Sequence, residues 1–523
     1  MKIHTLIKTS EYHDSVTLMT VARELAAYPE VGDAAVMMGT ASNISLLKEA
    51  GLYSKEVEKA SANDLIIAFS SPKELKEKIF IEADRLLNQR PADEGGTGEL
   101  RPKTIASAVK AYPELNIAVI SIAGRYAADE AWHALREGLH VLLFSDNVSL
   151  ADEIALKKYA KDHGLLLMGP GAGTALINGV ALGFANVVPK GPVGIVSAAG
   201  TGLQEVSTLL AKNGVGITQG IGTGGRDLSE EVRGIMMLEG LKALQADPNT
   251  KVIALVSKPP SKGVAEDILD QVANGNKPVI IGFMGSNPKE WTGIPNAIPV
   301  RTLEEVALLA VKETGADSKD PLKTIEQQTL DMKKKSQELH SHFGPCQHFL
   351  RGLFSGGTLC YEAQAIWREM IPEKIFSNAP LRKEDQLPDS NRSQGHTAVD
   401  LGEEEFTVGR PHPMIDNDLR IRRLLQEAKD PEVAVIIMDV VLGYGAHPNP
   451  ASELGPAARR AIELAKKEGR EIFIVSSITG TEQDPQVLSK QTAILSDNGV
   501  IVCESNAAAA RLVGMIVNQD RGN

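Results

Sequence analysis

One short segment occurs twice in this 523-residue chain and limits the folds that the chain can adopt. Residues 194–206 read GIVSAAGTGLQEV, and residues 352–363 read GLFSGGTLCYEA. Each copy predicts a buried strand, a turn of small residues with a serine and a threonine, and a helix that carries a glutamate. Because each copy lies at the first strand-to-helix turn of a longer alternating pattern, the repeat predicts two related α/β domains.

The alternation of strand and helix patterns divides the chain into four α/β units. In the last three units the strands are apolar and β-branched, which is typical of parallel sheets buried on both faces. The first unit has the smaller two-layer pattern of ferredoxin-like and ACT domains. A polar insertion at about 372–395 is expected to be a loop. The predicted units are residues 1–90, 104–188, 190–315 and 344–517.

Charge and composition exclude several classes of partner and site. The formal net charge is −12, so the chain as a whole repels nucleic acid and anionic membranes. No run approaches 18 apolar residues, and the first residues lack the apolar core of a signal peptide, so we expect a cytoplasmic protein. The three cysteines are widely spaced, and no cluster has the spacing of zinc ligands. We therefore expect neither a disulfide framework nor a metal site.

Both repeated turns have the composition of a phosphate site. A helix begins with unpaired N–H groups and the positive end of its dipole. Glycine lets a phosphate approach the backbone, and serine and threonine hydroxyls can donate to its oxygens. The alternative is that each threonine only caps its helix and that the glycines only permit the turn. The predicted phosphate ligands are Ser197, Gly200, Thr201, Gly202, Ser355, Gly356, Gly357 and Thr358.

Further candidate ligands lie at the ends of predicted strands, where open parallel sheets bind their ligands. In the glycine-rich segment 220–227, Arg226 could bind a carboxylate or phosphate through two hydrogen bonds, or it could simply pair with Asp227. Lys258 follows another strand, and its alternative is an ordinary solvated lysine. The predicted substrate-binding residues are Gly224, Gly225, Asp227, Lys258 and Asp439.

The segment 408–416, VGRPHPMID, holds an arginine and a histidine between prolines. The prolines restrict the backbone around His412 and so fix the direction of its ring. In an extended strand Arg410 and His412 would point the same way. Arg410 would then bind an oxyanion, and His412 would act as a general acid or donor, unless the histidine only caps a loop carbonyl. With Arg226, these two residues form the predicted catalytic set.

Taken together, these motifs resemble a known family. Residues 104–315 resemble the α subunit of succinyl-CoA synthetase, and residues 344–517 resemble the ligase domain of its β subunit. The strings MMGTASN, LLFSDNVSLADEIALKKYA, SAAGTGLQEV, GIGTGGRDLS, SKPP and TVGRPHPMID are similar to those of the FdrA proteins. The resemblance implies an ACT/ferredoxin-like N-terminal unit, a Rossmann-like relic of the CoA-binding domain, and two flavodoxin-like ligase domains of the synthetase type.

The resemblance also implies how the site works. In the synthetase one helix N-terminus from each ligase domain holds the phosphate of a phosphohistidine, and those helices would begin here at 197–202 and 355–358. No histidine occurs between His163 and His340, so a phosphohistidine is not expected. The nucleotide-binding region has no counterpart ahead of residue 344, and the turn 123–126 lacks the glycine-rich form of a CoA site. We therefore expect that no cofactor is required.

For function, the resemblance to FdrA proteins implies a subunit of an oxamate-type carbamoyltransferase of anaerobic purine and allantoin catabolism. Such an enzyme interconverts oxalurate plus phosphate with oxamate plus carbamoyl phosphate. The expected partners are small anionic substrates and other subunits or further copies of the chain. The alternatives are an acyl-CoA synthetase subunit, and a non-catalytic regulatory or scaffold subunit for which an ACT-like first unit would be suited.

Overall fold

The computed structural model describes residues 2–11, 13, 15–26, 28–40, 43–44, 47–48, 50–72, 75–88, 102–316, 321–407 and 410–518. The chain forms two compact units. Residues 1–100 together with 402–416 form the first, and residues 101–401 together with 417–523 form the second. A short segment inside the predicted domain 344–517 therefore belongs to the N-terminal unit.

The first unit is a three-stranded antiparallel sheet with helices against it. The strand order is β1-β3-β2, and the central strand is almost entirely buried. Apolar side chains at helical spacing, such as Leu18, Val21 and Leu25, join the sheet in one core. The small antiparallel α/β architecture agrees with the ferredoxin-like prediction. The elements are β1 (Lys2–Lys8), α1 (Ser15–Ala26), β2 (Asp33–Met38), β3 (Leu65–Ser71) and α2 (Lys76–Asn88), with a four-residue helix at Glu404–Thr407.

The second unit begins with a three-stranded parallel sheet of order β4-β5-β6. Its helices alternate with its strands, as the Rossmann-like prediction requires. The elements are α3 (Ile105–Ala111), β4 (Ile117–Ile120), α4 (Gly124–Arg136), β5 (His140–Leu143), α5 (Leu150–Asp162) and β6 (Leu167–Met168).

A seven-stranded sheet follows, with the order β13-β12-β11-β9-β10-β7-β8. The first two of these strands along the chain, β7 and β8, form an antiparallel hairpin, and β7 also pairs with β10. Residues 174–183 thus belong to this sheet. The predicted boundary at 188–190 had placed them in the preceding unit. The elements are β7 (Thr174–Ile177), β8 (Val180–Gly183), β9 (Lys190–Ser197), α6 (Gly200–Lys212), β10 (Ile217–Gly222), α7 (Ile235–Ala246), β11 (Val252–Ser257), α8 (Lys262–Ala273), β12 (Val279–Phe283), β13 (Ala297–Pro299) and α9 (Leu303–Glu313).

Helix α10 (Pro321–His340) leads to a six-stranded parallel sheet of order β15-β16-β14-β17-β18-β19. Strand β15 lies within 372–395 and pairs with β16, so the loop predicted there is wrong in part. The elements are β14 (Phe349–Phe354), α11 (Gly357–Met370), β15 (Ile375–Ser377), β16 (His396–Asp400), α12 (Asp418–Glu427), β17 (Val433–Val441), α13 (Ala451–Lys467), β18 (Phe473–Thr479), α14 (Leu488–Asp497), β19 (Val500–Cys503) and α15 (Asn506–Val517).

The two large sheets place the repeated segments at equivalent points, which confirms the repeat. Strand β9 has β10 on one side and β11 on the other, and β14 has β16 and β17 on its two sides. Strands β9 and β14 therefore each end at a topological switch point, where a crevice opens at the carboxyl end of the sheet. Helices α6 and α11 begin at these two points.

The turn after β10 gives a test of the fold. Gly224 has φ +87°, and a Cβ on it would lie 2.5 Å from the carbonyl oxygen of Pro170. Gly214 has a similar φ of +75°, but no described atom lies within 4 Å of its added Cβ. Both alanine variants acquire backbone strain of about 1–3 kcal/mol, and only Gly224→Ala also clashes with backbone. We expect the larger fall in the denaturation midpoint for Gly224→Ala. Equal falls in the two midpoints would show that the backbone near Pro170 moves to accommodate the added methyl group.

Candidate functional site

The starts of α6 and α11 lie against each other. A Cβ added to Gly356 would lie 3.0 Å from the Oγ1 atom of Thr201. One added to Gly202 would lie 3.1 Å from the methyl carbon of Thr358. A side chain at Gly356 would press on Thr201, and one at Gly202 would press on both Val256 and Thr358, so glycine permits the close approach of the two helix starts. We call residues 200–202 and 357–359 the helix junction.

The helix junction concentrates amide N–H groups. In α6 the first residue that bonds within the helix is Leu203, which donates to the carbonyl of Ala199; in α11 it is Cys360, which donates to that of Gly356. The three amides before each of these belong to the helix start and need a partner elsewhere. Gly200 and Gly357 are the partly exposed members of the group. Two positive dipole ends and six such amides favour an anion that approaches over these glycines.

The two threonines do not cap their helices, contrary to the alternative interpretation. The N-cap residues are Ala199 and Gly356, and in the described structure neither makes a side-chain capping bond. Thr201 and Thr358 are each the second residue of their helix. Both threonines belong to the first turn of their helix, and both are buried against the other helix start. Ser197, by contrast, is committed locally, because its Oγ donates to the carbonyl of Ala199 and accepts from the Ala199 N–H.

Asp439 already occupies part of the second predicted cradle. Its carboxylate accepts from the Ser355 N–H at 2.7 Å, the Ser355 hydroxyl at 3.0 Å and the Gly356 N–H at 2.8 Å. Asp439 is fully buried, and the buried Arg420 donates to both its carboxylate and its carbonyl. Asp439 thus serves in this structure as a carboxylate that holds the turn before α11, and its substrate-binding role stays a prediction. The donors of Ser355 and Gly356 are taken by the protein, so Gly357 and Thr358 are the remaining candidates of this cradle for a ligand.

Arg226 and Asp227 each have a separate protein partner and do not pair with each other. Asp227 is fully buried and accepts from Lys157 and from the Met237 N–H, both at 2.8 Å, so it caps α7. Arg226 pairs with the buried Glu153 at 2.8 Å and donates to a backbone carbonyl. The carboxylate of Asp227 is thus used within the protein, and its substrate-binding role stays a prediction. Arg226 uses Nε and Nη2 for these partners, and its role as an anion ligand also stays a prediction.

The neighbouring glycines have different surroundings. Gly224 is buried behind the carbonyl of Pro170 and serves the turn. Gly225 is exposed, and a Cβ on it would lie 4.0 Å from the carbonyl oxygen of Ala198. This glycine therefore borders the turn that leads into α6, where a ligand over Gly200 would also lie.

Lys258 brings a cation beside both helices. It directly follows β11, whose Val256 carbonyl accepts from the Ala198 N–H and whose Val256 side chain approaches Gly202. Its Nζ lies 5.4 Å from the centroid of the Tyr361 ring on α11. The side chain is exposed, so it keeps its charge in contact with water and can turn toward an anion at the helix junction.

Asp400 is a site residue that the sequence argument did not select. A Cβ on Gly357 would lie 2.5 Å from its Oδ2 atom, and the side chain is buried. The signal was available, because Asp400 ends the strand HTAVD beside β14, at the carboxyl edge of the sheet. Burial, reinforced by the charge of Asp400, raises the pKa of the Cys360 thiol well above its usual value. Cys360 is thus no candidate for a thiolate nucleophile.

Arg410 and His412 belong to the first compact unit. The backbone turns directly after His412, because the N–H groups of Ile415 and Asp416 both donate to its carbonyl, and no strand is assigned to residues 410–416. The Met414 N–H donates to the His412 Nδ1 at 3.2 Å. The shared direction expected of the two side chains from strand geometry is therefore unsupported, and their catalytic role stays a prediction.

Family models match three parts of the chain. A CoA-ligase model matches residues 353–516, a CoA-binding-domain model matches 189–285, and a model described as AllF, heavy metal-associated domain, matches 1–102. The CoA-binding match thus falls on the unit predicted to be a ligase domain. Residues 1–102 contain no cysteine, so they lack the thiolates that soft metals prefer. Among the described residues no group of three or more His, Cys, Asp or Glu side chains could hold a metal ion.

Individual proteins are also similar. The uncharacterized protein YahF of Escherichia coli K12 is 42% identical over 97% of both chains. The succinate–CoA ligase α subunit of Staphylococcus epidermidis ATCC 12228 is 27% identical over 42% of this chain and 74% of its own. Among solved structures, the dinucleotide-forming acetyl-CoA synthetase 1 of Ca. Korarchaeum cryptofilum, with phosphate and ADP, is 13% identical, with a TM-score of 0.31 over 83% of this chain and 88% of that one.

The described helices include none that is both long and apolar enough to cross a membrane.

The buried Asp439 gives a test of the second helix start. Asp439→Ala would leave two backbone amides and the buried Arg420 guanidinium without their carboxylate, at a cost of about 3–5 kcal/mol. The control is Asp418→Ala, which removes an exposed ion pair with Arg422 and should cost at most about 1 kcal/mol. Chemical denaturation measures both. The added substitution Arg420→Met should restore part of the loss, whereas strict additivity would show that the two side chains are not coupled.

Proposed function

We propose that the chain, which belongs to the family of Escherichia coli YahF and is similar to succinate–CoA ligase α subunits, is a subunit of an oxamate-type carbamoyltransferase. It would interconvert oxalurate plus phosphate with oxamate plus carbamoyl phosphate. The observation that carries the proposal is the helix junction, where the starts of one helix from each ligase domain are in contact. Their amides and the hydroxyls of Thr201 and Thr358 would bind one anion there. Carbamoyl phosphate and inorganic phosphate share the group that such a site binds.

The transfer needs positioning more than it needs a covalent intermediate. An oxygen of hydrogen phosphate attacks the ureido carbonyl carbon of oxalurate, and the bond from that carbon to the oxamyl nitrogen breaks. The phosphate proton passes to the leaving nitrogen, so that oxamate and carbamoyl phosphate form with charge and atoms conserved. Amides at the junction would hold the phosphate, and Lys258 would balance its charge. Asp400, next to Gly357, would carry the proton between the two reactants.

The sequence of the α-type ligase domain supports a route without phosphoenzyme. No histidine stands between His163 and His340, which includes all of the seven-stranded sheet and its loops. The thiol nearest the second helix start, Cys360, is buried, and its pKa is raised. A direct attack by phosphate on a carbonyl requires neither group.

Acyl-CoA ligation is the second candidate. It is favoured by the CoA-binding-domain match at 189–285 and by the similarity to succinate–CoA ligase α subunits. In that case the helix junction would bind the phosphate released from an acyl phosphate when CoA attacks. The two candidates share the phosphate site and differ in the acceptor.

The test is turnover by the full chain, alone and with the proteins encoded beside it. Oxalurate and phosphate should give carbamoyl phosphate and oxamate, without added nucleotide or CoA and without acid-labile phosphoprotein. Formation of an acyl-CoA from a carboxylic acid, CoA and ATP would replace the first candidate by the second. A stoichiometric phosphohistidine would overturn the mechanism in both forms.

The threonine hydroxyls at the helix junction allow a finer test. Thr201→Val and Thr358→Val keep the side-chain shape and remove one donor to a charged ligand, which is worth about 1.5–3 kcal/mol. Each should raise the KM for phosphate roughly 10- to 150-fold. The matched control is Thr208→Val, because Thr208 is buried further along α6 and donates to the carbonyl of Glu205. An unchanged KM in both junction variants would exclude the threonines as ligands.

A further inference from the structure

Each helix of the junction carries a buried glutamate as its sixth residue. On α6 this residue is Glu205, and on α11 it is Glu362; both side chains are 1% exposed. Both belong to the repeated sequence segment. Glu205 bonds to the other half of the repeat, whereas Glu362 bonds to both halves.

The two glutamates are exchanged between the halves. Glu205 accepts at 3.0 Å from the N–H of Asn506, the first residue of α15, which follows the last strand of the six-stranded sheet. Glu362 accepts at 2.6 Å from the N–H of Leu303, the first residue of α9, which follows the last strand of the seven-stranded sheet. Each half therefore caps the equivalent helix of the other half.

The second oxygen of each carboxyl group makes a further bond, which crosses between the halves for Glu205 and stays within the six-stranded half for Glu362. Glu205 accepts there from the hydroxyl of Thr479, at the end of β18. Glu362 accepts from the side-chain amide of Asn506 at 2.7 Å. The same Asn506 amide donates at 3.0 Å to the carbonyl of Leu359, which lies in the helix junction itself. Asn506 thus joins the anchor of α6 to the first turn of α11.

Burying a carboxyl group between two domains costs free energy, because the group loses its contact with water. Burial raises the pKa of Glu362 to about 8, although its two hydrogen bonds act in the opposite direction. Apolar side chains of the same size would give equal or greater stability, whereas polar groups in fixed geometry can select one register. The register that these groups select is the one that brings Thr201 against Gly356 and Gly202 against Thr358.

We propose that Glu205 and Glu362 are positioning residues of the phosphate site, each holding its own helix in the register at which the two N-termini meet. The inference rests on the proposed phosphate site at the helix junction. Without one anchor, its helix could slide or tilt relative to the other, and the six amides would no longer converge on one anion. A misplacement of about 1 Å is enough to reduce activity on the order of 100-fold in a preorganised site.

Glu304 provides a matched control. It lies on α9, is 5% exposed, and accepts from the hydroxyl of Ser505 at 2.7 Å and from Arg511. It therefore joins the same two halves through a buried carboxylate at the start of α15. Its helix does not begin at the junction, so a loss of Glu304 removes a link between the halves without releasing α6 or α11.

The experiment measures the affinity of the full chain for inorganic phosphate by calorimetry, together with the denaturation midpoint. We expect Glu205→Ala, Glu362→Ala and Glu304→Ala all to lower the midpoint. Only the first two should weaken phosphate binding, by roughly 10- to 100-fold, while Glu304→Ala stays within about twofold of the wild type. If the alanine variants do not fold, Glu205→Gln and Glu362→Gln serve as the test, because each keeps one oxygen acceptor and loses the other. Both should still bind phosphate more weakly than Glu304→Gln, and equal affinities in the three variants would overturn the positioning role.

The outcomes separate this inference from the proposed function. A wild-type chain that binds no phosphate at millimolar concentration overturns the phosphate site and the positioning role together. A wild-type chain that binds phosphate, with Glu205→Ala and Glu362→Ala binding as tightly as Glu304→Ala, overturns the positioning role alone. In that case the exchanged glutamates would contribute only stability.

Discussion

The contact between two helix N-termini is the constraint on which the second unit depends. Each helix start carries roughly half a positive charge and three amides without a partner in the helix, so bringing two of them together is unfavourable in itself. Glycine at 202 and 356 removes the steric part of the problem, since each backbone abuts a threonine of the other helix. The electrostatic part remains, and the surrounding residues are arranged around it.

The chain offsets that charge unequally at the two helix starts. At α11 the buried Asp439 accepts from the turn before the helix and is itself held by Arg420, while Asp400 lies beside Gly357. At α6 the turn is held by the Ser197 hydroxyl, which carries no charge. The positive field is therefore less compensated on the α6 side. An anion over Gly200 and Gly357 would be held mainly by α6 and would have Asp400 close by as a proton carrier.

The sequence predicted the architecture well because periodicity and turn composition determine it locally. The alternating apolar strands gave the parallel sheets, and the repeated small-residue turns gave the beginnings of α6 and α11. The internal partners of Asp227 and Asp439 could not be predicted in the same way. Asp227 follows β10 and Asp439 lies near the end of β17, and position alone cannot distinguish a carboxylate that meets a ligand from one that accepts from the protein's own amides. Only the three-dimensional partners separate the two cases.

The partners of a residue also decide what kind of chemistry the site can perform. A site that stores phosphate on a side chain needs a nucleophile between the two helix starts, and the loops of the seven-stranded sheet supply no histidine for it. What remains is a fixed array of amides, two hydroxyls, one exposed lysine and one buried aspartate. In the proposed mechanism such an array stabilises charge and moves a proton without forming a covalent bond to the substrate. It therefore suits transfers in which phosphate itself is the nucleophile or the leaving group, and the rate of such a transfer depends on how rigidly the two helices are held together.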